Sequence, residues 1–239
     1  MGSTAPCGCE KRSEARSHDE LVDLIVREVS LVLKAGAAGR KPASGAGPRT
    51  IPLGVSNRHI HLTHATFHLL FGAEAAFENL RPLYQPGEFA SAHTLTIVGP
   101  KLRSIPGVRI LGPLRTYDQV EVSLTDAVFL GIDPPVANSG TLGAASPLTL
   151  VGPRGSVYLE RCAIIASRHI HMTNADAARL GVSEGDLCRV RVGGEKSTVF
   201  ENVLVRTNDG WLLQIHLDTD DANAANVRDE THVEFLGRM

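Results

Sequence analysis

Six residues, Arg58-His59-Ile60-His61-Leu62-Thr63, return 110 positions later as Arg168-His169-Ile170-His171-Met172-Thr173, with a single apolar exchange. A repeat this close inside one chain means two halves built on one plan. In an extended strand residues i and i+2 share a face, so each His-x-His presents two imidazoles together while its isoleucine turns the other way. Thr63 and Thr173 then stand where an N-cap would end the strand and open a short helix, with Gly72 and Gly181 as the stops.

The same grammar recurs twice more, faintly. Glu121-Val122-Ser123-Leu124-Thr125-Asp126-Ala127 matches His59-Ile60-His61-Leu62-Thr63-His64-Ala65 in its apolar positions, threonine and alanine, which puts Glu121 in the place of the first histidine. Gln214-Ile215-His216-Leu217-Asp218 repeats it with Asp218 as the cap and His216 in the place of the second. Each half then offers three candidate metal ligands: His59, His61 and Glu121 in one, His169, His171 and His216 in the other. Three imidazole and carboxylate ligands with a fourth position open is the pattern of a catalytic zinc site, and the imidazole richness favours zinc over iron or manganese. Two such sites suit two-metal chemistry. A lone His-x-His is commonly a half-buried pair without metal; duplication with a third ligand argues for the metal. The remaining histidines take ordinary roles: His64 and His68 on the short helix, His18 and His232 at the surface, His93 at a strand edge or near the site.

Around these motifs the chain reads as short strands. Thr94 to Val98, Val108 to Leu111, Gln119 to Leu124, Ala163 to Ala166, Leu187 to Val192, Thr198 to Val205 and Trp211 to Leu217 have strand texture, with Gly193-Gly194 and Asp209-Gly210 as hairpin turns. With 23 Gly, 13 Pro and 5% aromatic residues, sheets closed into barrels or sandwiches fit better than a helical bundle. A formal charge of −2 gives no sign of a nucleic-acid partner, and no apolar run approaches a membrane span. Lacking a signal-peptide pattern, the protein is expected in the cytoplasm. Four cysteines, Cys7, Cys9, Cys162 and Cys188, are too few and too scattered for a disulfide framework.

Ahead of the repeat, Ser17 and Glu20 form a capping box that opens an amphipathic helix over residues 17–36, with Leu21, Leu24, Ile25, Val29, Val32 and Leu33 on one face. Residues 37–49 follow as a flexible linker. A tethered amphipathic helix is suited to docking in a groove, although packing on its own domain is an even alternative.

Three Gly-Pro turns carry a cation close behind: Gly99-Pro100-Lys101, Gly112-Pro113-Leu114-Arg115 and Gly152-Pro153-Arg154. Arg115 enters the strand that holds Glu121, where its planar fork could grip a phosphate oxygen pair; Lys101 and Arg154 read as surface charges.

The chain resembles the PduL-type phosphotransacylases (phosphate propanoyltransferases) of bacterial microcompartments over roughly residues 51–236. VSNRHIHLT, QPGEFA, VRILGPLRTYDQVEVSLTDA, LVGPRGSVYLERCAIIASRHIHMT and LLQIHLDTDDANAA carry the resemblance, and Ala137 stands where the family usually has arginine. The resemblance implies a mainly β fold with short helices: two small β-barrel domains related by the internal repeat, a metal site between them, and the N-terminal amphipathic helix in front. Residues 1–49 would form the extension, 58–166 the first barrel, and 50–57 with 167–239 a second, discontinuous barrel. It also implies two zinc ions on the six ligands already named, Arg115 as the catalytic, phosphate-binding arginine, and Ser56, Arg81, Arg109, Leu111 and Asn223 against coenzyme A. The reaction would exchange coenzyme A for phosphate on a short acyl group, propanoyl or acetyl. Microcompartment shell or cargo proteins would bind residues 17–36 as an encapsulation peptide, and a homo-oligomer is expected.

Such a reaction needs a positioned phosphate, a stabilised oxyanion and a tamed thiolate. Two zincs and Arg115 could supply all three, one zinc toward the sulfur and the other toward phosphate. No Ser-His-Asp or Cys-His arrangement is evident, so direct attack by phosphate is the simpler course, with His64 or Ser123 as candidate proton carriers. Two alternatives stand beside it: a dinuclear zinc hydrolase acting on a thioester or phosphoester, and a noncatalytic module stapled by metal.

Overall fold

The computed structural model describes residues 49–227 and 231–239. The expected helix at 17–36, its linker, Cys7, Cys9 and His18 lie outside the described residues. Those described form fourteen strands and four short helices, a mainly β architecture of two six-stranded barrels.

In the first barrel the strands are β2 (His59–His61), β4 (Phe89–Val98), β5 (Ser104–Gly112), β6 (Gln119–Glu121), β8 (Ser146–Val151) and β9 (Ser156–Ala166). Their order is β4-β5-β2-β6-β9, and β8 closes the ring by pairing with both β9 and β4. Two short strands flank it: β3 (Asn79–Pro82) on β4 and β7 (Val136–Ala137) on β9. The second barrel closes in the order β1-β13-β10-β12-β11-β14, from β1 (Thr50–Ser56), β10 (His169–Met172), β11 (Leu187–Val192), β12 (Thr198–Thr207), β13 (Gln214–Asp218) and β14 (His232–Arg238). β1 reaches it from the far side of the repeat, parallel to β13 and antiparallel to β14. Each barrel holds its own apolar core, around Ile60, Ile97, Ile110 and Leu150 in the first and Ile170, Val190, Val205 and Phe235 in the second. Closure leaves the main strands without free edges.

Four of these strands run directly into a capped helix. β2 leads to α1 (His64–Phe71) through Thr63, β6 to α2 (Leu124–Leu130) through Ser123, β10 to α3 (Asn174–Leu180) through Thr173, and β13 to α4 (Thr219–Ala224) through Asp218. In each case the cap side chain accepts from the backbone N–H three residues on, satisfying one of the orphan donors of the first turn.

Three sequence expectations need correction. The cap of α2 is Ser123, not Thr125, because Asp126 completes a capping box with Ser123; the strand therefore stops at Glu121 rather than running to Leu124. Glu121 thus lies two residues before its cap, as His61 and His216 do, and takes the place of the second histidine. Asp209-Gly210 is not a hairpin turn, since β10 lies between β12 and β13. Nor does Trp211 begin a strand. β13 starts at Gln214, because the Gln85 side chain occupies both the N–H and the carbonyl of Leu212.

Candidate functional site

The register of the ligand strands sets the site. His59 pairs with Glu121 across β2–β6, and His169 pairs with His216 across β10–β13, while His61 and His171 pair with Gln119 and Gln214. Two pairs of adjacent strands therefore point three ligands each to one side. In each triad the candidate ligand atoms lie within 4.8 Å of one another.

Hydrogen bonds select which nitrogen is free. His59 Nδ1–H donates to the Asn57 carbonyl and His169 Nδ1–H to the Ser167 carbonyl, both at 2.8 Å, which leaves each Nε2 with its lone pair toward the site. His61 Nδ1, His171 Nδ1 and His216 Nε2 are buried without any partner among the described residues. Buried polar atoms are seldom left unsatisfied, so these orphans fit metal ligation. Burial pushes His61 and His216 well below the usual histidine range and lowers His169, and it brings His171 down to about 3. All four are neutral imidazoles at pH 7, the form that ligates a metal. The triads sense each other: Glu121 acts on His169, and His59 acts on His216.

Glu121 is held from behind. Gln119, fully buried, donates from Nε2 to Glu121 Oε1 at 2.7 Å and to Ser139 Oγ at 2.9 Å, and its Oε1 accepts from the Gly140 N–H at 2.7 Å. Glu121 Oε2 is left 3.4 Å from His59 Nε2. Ahead of both triads, Arg58 pairs with Asp126 and Arg168 with Asp221 at 2.8 and 2.7 Å. Each pair ties the start of a ligand strand to the helix that follows the neighbouring one.

Arg115 is anchored at both ends. Its N–H donates to the Leu62 carbonyl at 2.8 Å, and its guanidinium donates to Tyr117 Oη at 2.7 Å, Ser139 Oγ at 3.2 Å and Glu88 Oε1 at 3.4 Å. A cavity of about 530 Å³ is lined by all six candidate ligands together with Arg115, Ser56, Arg81, Arg109 and Leu111. Its wall carries five arginines against two glutamates, a bias toward anionic ligands. Arg109 also donates to the Ser91 and Ala92 carbonyls, both at 3.0 Å.

Asn223 does not line the cavity; it lies exposed on α4, and its carbonyl accepts from Lys196 Nζ. His64 is exposed and Ser123 is a buried cap, and neither reaches the cavity wall. His93, whose Nδ1 is likewise buried without a partner among the described residues, packs among Phe67, Phe71 and Phe77 and does not line the cavity.

Four residues of the site stand outside the candidate ligand triads: Trp211, Arg206 and Gln214 line the cavity, and Gln119 lies behind Glu121. Trp211 stacks on His171 with 4.1 Å between ring centroids, and Arg206 lies 5.4 Å from the Trp211 ring. Gln119 and Gln214 precede their ligands by two residues in both halves; that shared Gln-x-ligand spacing was the available signal, obscured by aligning on Thr125.

Residues 52–228 match the family model described as phosphate propanoyltransferase. Among curated relatives, the phosphate propanoyltransferase of Lachnoclostridium phytofermentans is 44% identical over 87% of this chain and 95% of its own. That of Rhodobacter capsulatus is 42% identical over 80% and 88%, and that of Salmonella typhimurium 44% over 78% and 88%. By extent of match and by identity, the chain belongs to the phosphate propanoyltransferase family.

Proposed function

We propose that this protein is a phosphate acyltransferase interconverting propanoyl-CoA or acetyl-CoA plus phosphate with acyl phosphate plus coenzyme A. The observation that carries the reading is the convergence of two ligand triads and Arg115 on one arginine-rich cavity. In the forward step a phosphate oxygen attacks the thioester carbonyl, the C–O bond forms, the C–S bond breaks and the thiolate departs. Arg115 orients the phosphate through its planar fork, kept in place by Tyr117, Ser139 and Glu88. Two zinc ions on His59, His61 and Glu121 and on His169, His171 and His216 would supply Lewis-acid polarisation. Ser56, Arg81, Arg109 and Leu111 would receive coenzyme A, with Asn223 as a more distant contact.

Incubating the purified protein with propanoyl-CoA and phosphate, with and without chelator, and following free thiol tests the reading. Thiol release that depends on phosphate and stops with chelator supports it; release without phosphate points to a hydrolase.

The two barrels are proposed to act as domains spanning 58–166 and 50–57 with 167–239. No helix among the described residues is long and apolar enough to cross a membrane. Residues 17–36 are proposed as an encapsulation peptide for a microcompartment shell or its cargo, within the cytoplasm, and self-association into a homo-oligomer is proposed with it. Removing residues 1–46 should leave acyl transfer and zinc content intact and abolish co-localisation with shells.

A further inference from the structure

The two barrels can be superposed strand on strand through their pairings. β2 lies between β5 and β6 as β10 lies between β12 and β13, parallel to the first neighbour and antiparallel to the second in both halves. Arg109 stands beside His59 on β5, and Leu111 follows two residues later. On β12 the order is reversed: Leu204 stands beside His169, and Arg206 beside His171. Each half therefore carries one arginine and one leucine next to its histidine pair, with the positions exchanged.

The arginines of the cavity differ in how they are bonded. Arg58 is paired with Asp126, Arg109 donates to two carbonyls, and Arg115 is compensated by Glu88. Arg206 is half-buried, lies over Trp211, and makes no hydrogen bond or ion pair among the described residues. A half-buried guanidinium lying over an indole with its donors unused is suited to binding an anion.

We propose that Arg206 binds oxygens of the transferred phosphoryl group from the second barrel, opposite Arg115 on the first, so that the anion is gripped from both halves of the duplicated fold. This rests on the acyltransferase reading above. The choice of the phosphoryl group over the phosphates of coenzyme A follows from register and bonding together: Arg206 neighbours the candidate ligand His171 with its donors unused, whereas Arg109, the neighbour of His59, is engaged by two carbonyls and Arg81 is exposed. Trp211 serves as the platform, lying against both the Arg206 guanidinium and the His171 ring.

Titration calorimetry of the full-length, zinc-loaded protein with inorganic phosphate, without acyl-CoA, tests the assignment independently of turnover. Arg206→Gln should weaken phosphate binding by about tenfold or more, the loss expected for a charged hydrogen-bond donor, and Arg206→Lys should restore it only in part. The KM for phosphate should rise and the KM for propanoyl-CoA should not. Unchanged phosphate affinity, or a rise in the KM for propanoyl-CoA alone, would overturn the proposal. So would loss of zinc or a lower Tm in both variants, since that assigns Arg206 to support of the second triad. A wild-type protein that neither binds phosphate nor forms acyl phosphate defeats the acyltransferase reading itself; an active wild type with unaltered Arg206 variants removes this assignment alone.

Discussion

Gln119 and Glu121 are joined by a 2.7 Å hydrogen bond in which the amide also engages Ser139 and Gly140, so one carboxylate oxygen is fixed and the other is turned to His59. A support of this kind typically costs about 10- to 100-fold in metal affinity when removed. Gln119→Ala should therefore weaken zinc at the first triad and leave the second triad filled. Competition with a graded chelator, read by elemental analysis, checks this; equal loss from both sites would contradict it.

Direct ligand loss should be sharper. Glu121→Gln and His216→Ala each remove one ligand of three and should lower zinc content from about two ions per chain to about one, with turnover abolished. The barrel cores do not include either side chain, so the circular dichroism spectrum should be retained. Near-normal activity in either variant would exclude that residue from the site.

Arg115→Ala should raise the KM for phosphate and lower kcat with little change for acyl-CoA. Arg115→Lys should rescue incompletely, because an ammonium cannot reproduce the fork that reaches Tyr117, Ser139 and Glu88 together. Steady-state kinetics with each substrate varied in turn separates these outcomes from a general folding defect.

Metal-free protein should be acid-sensitive. His171 binds its proton only near pH 3 when folded but near 6.5 in a free chain, so between these values the unfolded state holds more protons. Its contribution to stability is complete above about pH 6.5 and is lost as pH falls, at about 1.4 kcal/mol per unit for each such histidine. His61, His169 and His216 are shifted in the same direction. Urea midpoints of the metal-depleted protein at pH 7 and pH 5 should fall with pH, and less steeply in His171→Asn.

Burial pushes the Cys162 thiol up to about 12 and Cys188 up to about 11. Neither supplies a thiolate at neutral pH, which disfavours a covalent acyl-cysteine course. Iodoacetamide at pH 8, followed by peptide mapping, should leave both unmodified in the folded protein and label them after denaturation.

The candidate ligands were legible because their arrangement is local. His59 with His61, and His169 with His171, need only the two-residue period of a strand to share a face, and Thr63, Thr173 and Asp218 announce the strand ends through their caps. Glu121 and His216 emerge as candidate ligands from the same motif, yet the motif alone sets the register of Glu121 two residues off, since whether Ser123 or Thr125 caps α2 depends on which one Asp126 answers. What lies between strands was not legible. The entry of β1 into the second barrel, the crossing of β10 between β12 and β13, and the grip of Gln85 on Leu212 join residues far apart in the chain. The same is true of the row that sets Arg206 beside His171. A strand's sequence states which face is buried, but its neighbour is chosen by closing the barrel and filling the core. For that reason the candidate ligands could be read from the repeat, while the walls of the cavity that would hold a substrate were decided only by the tertiary fold.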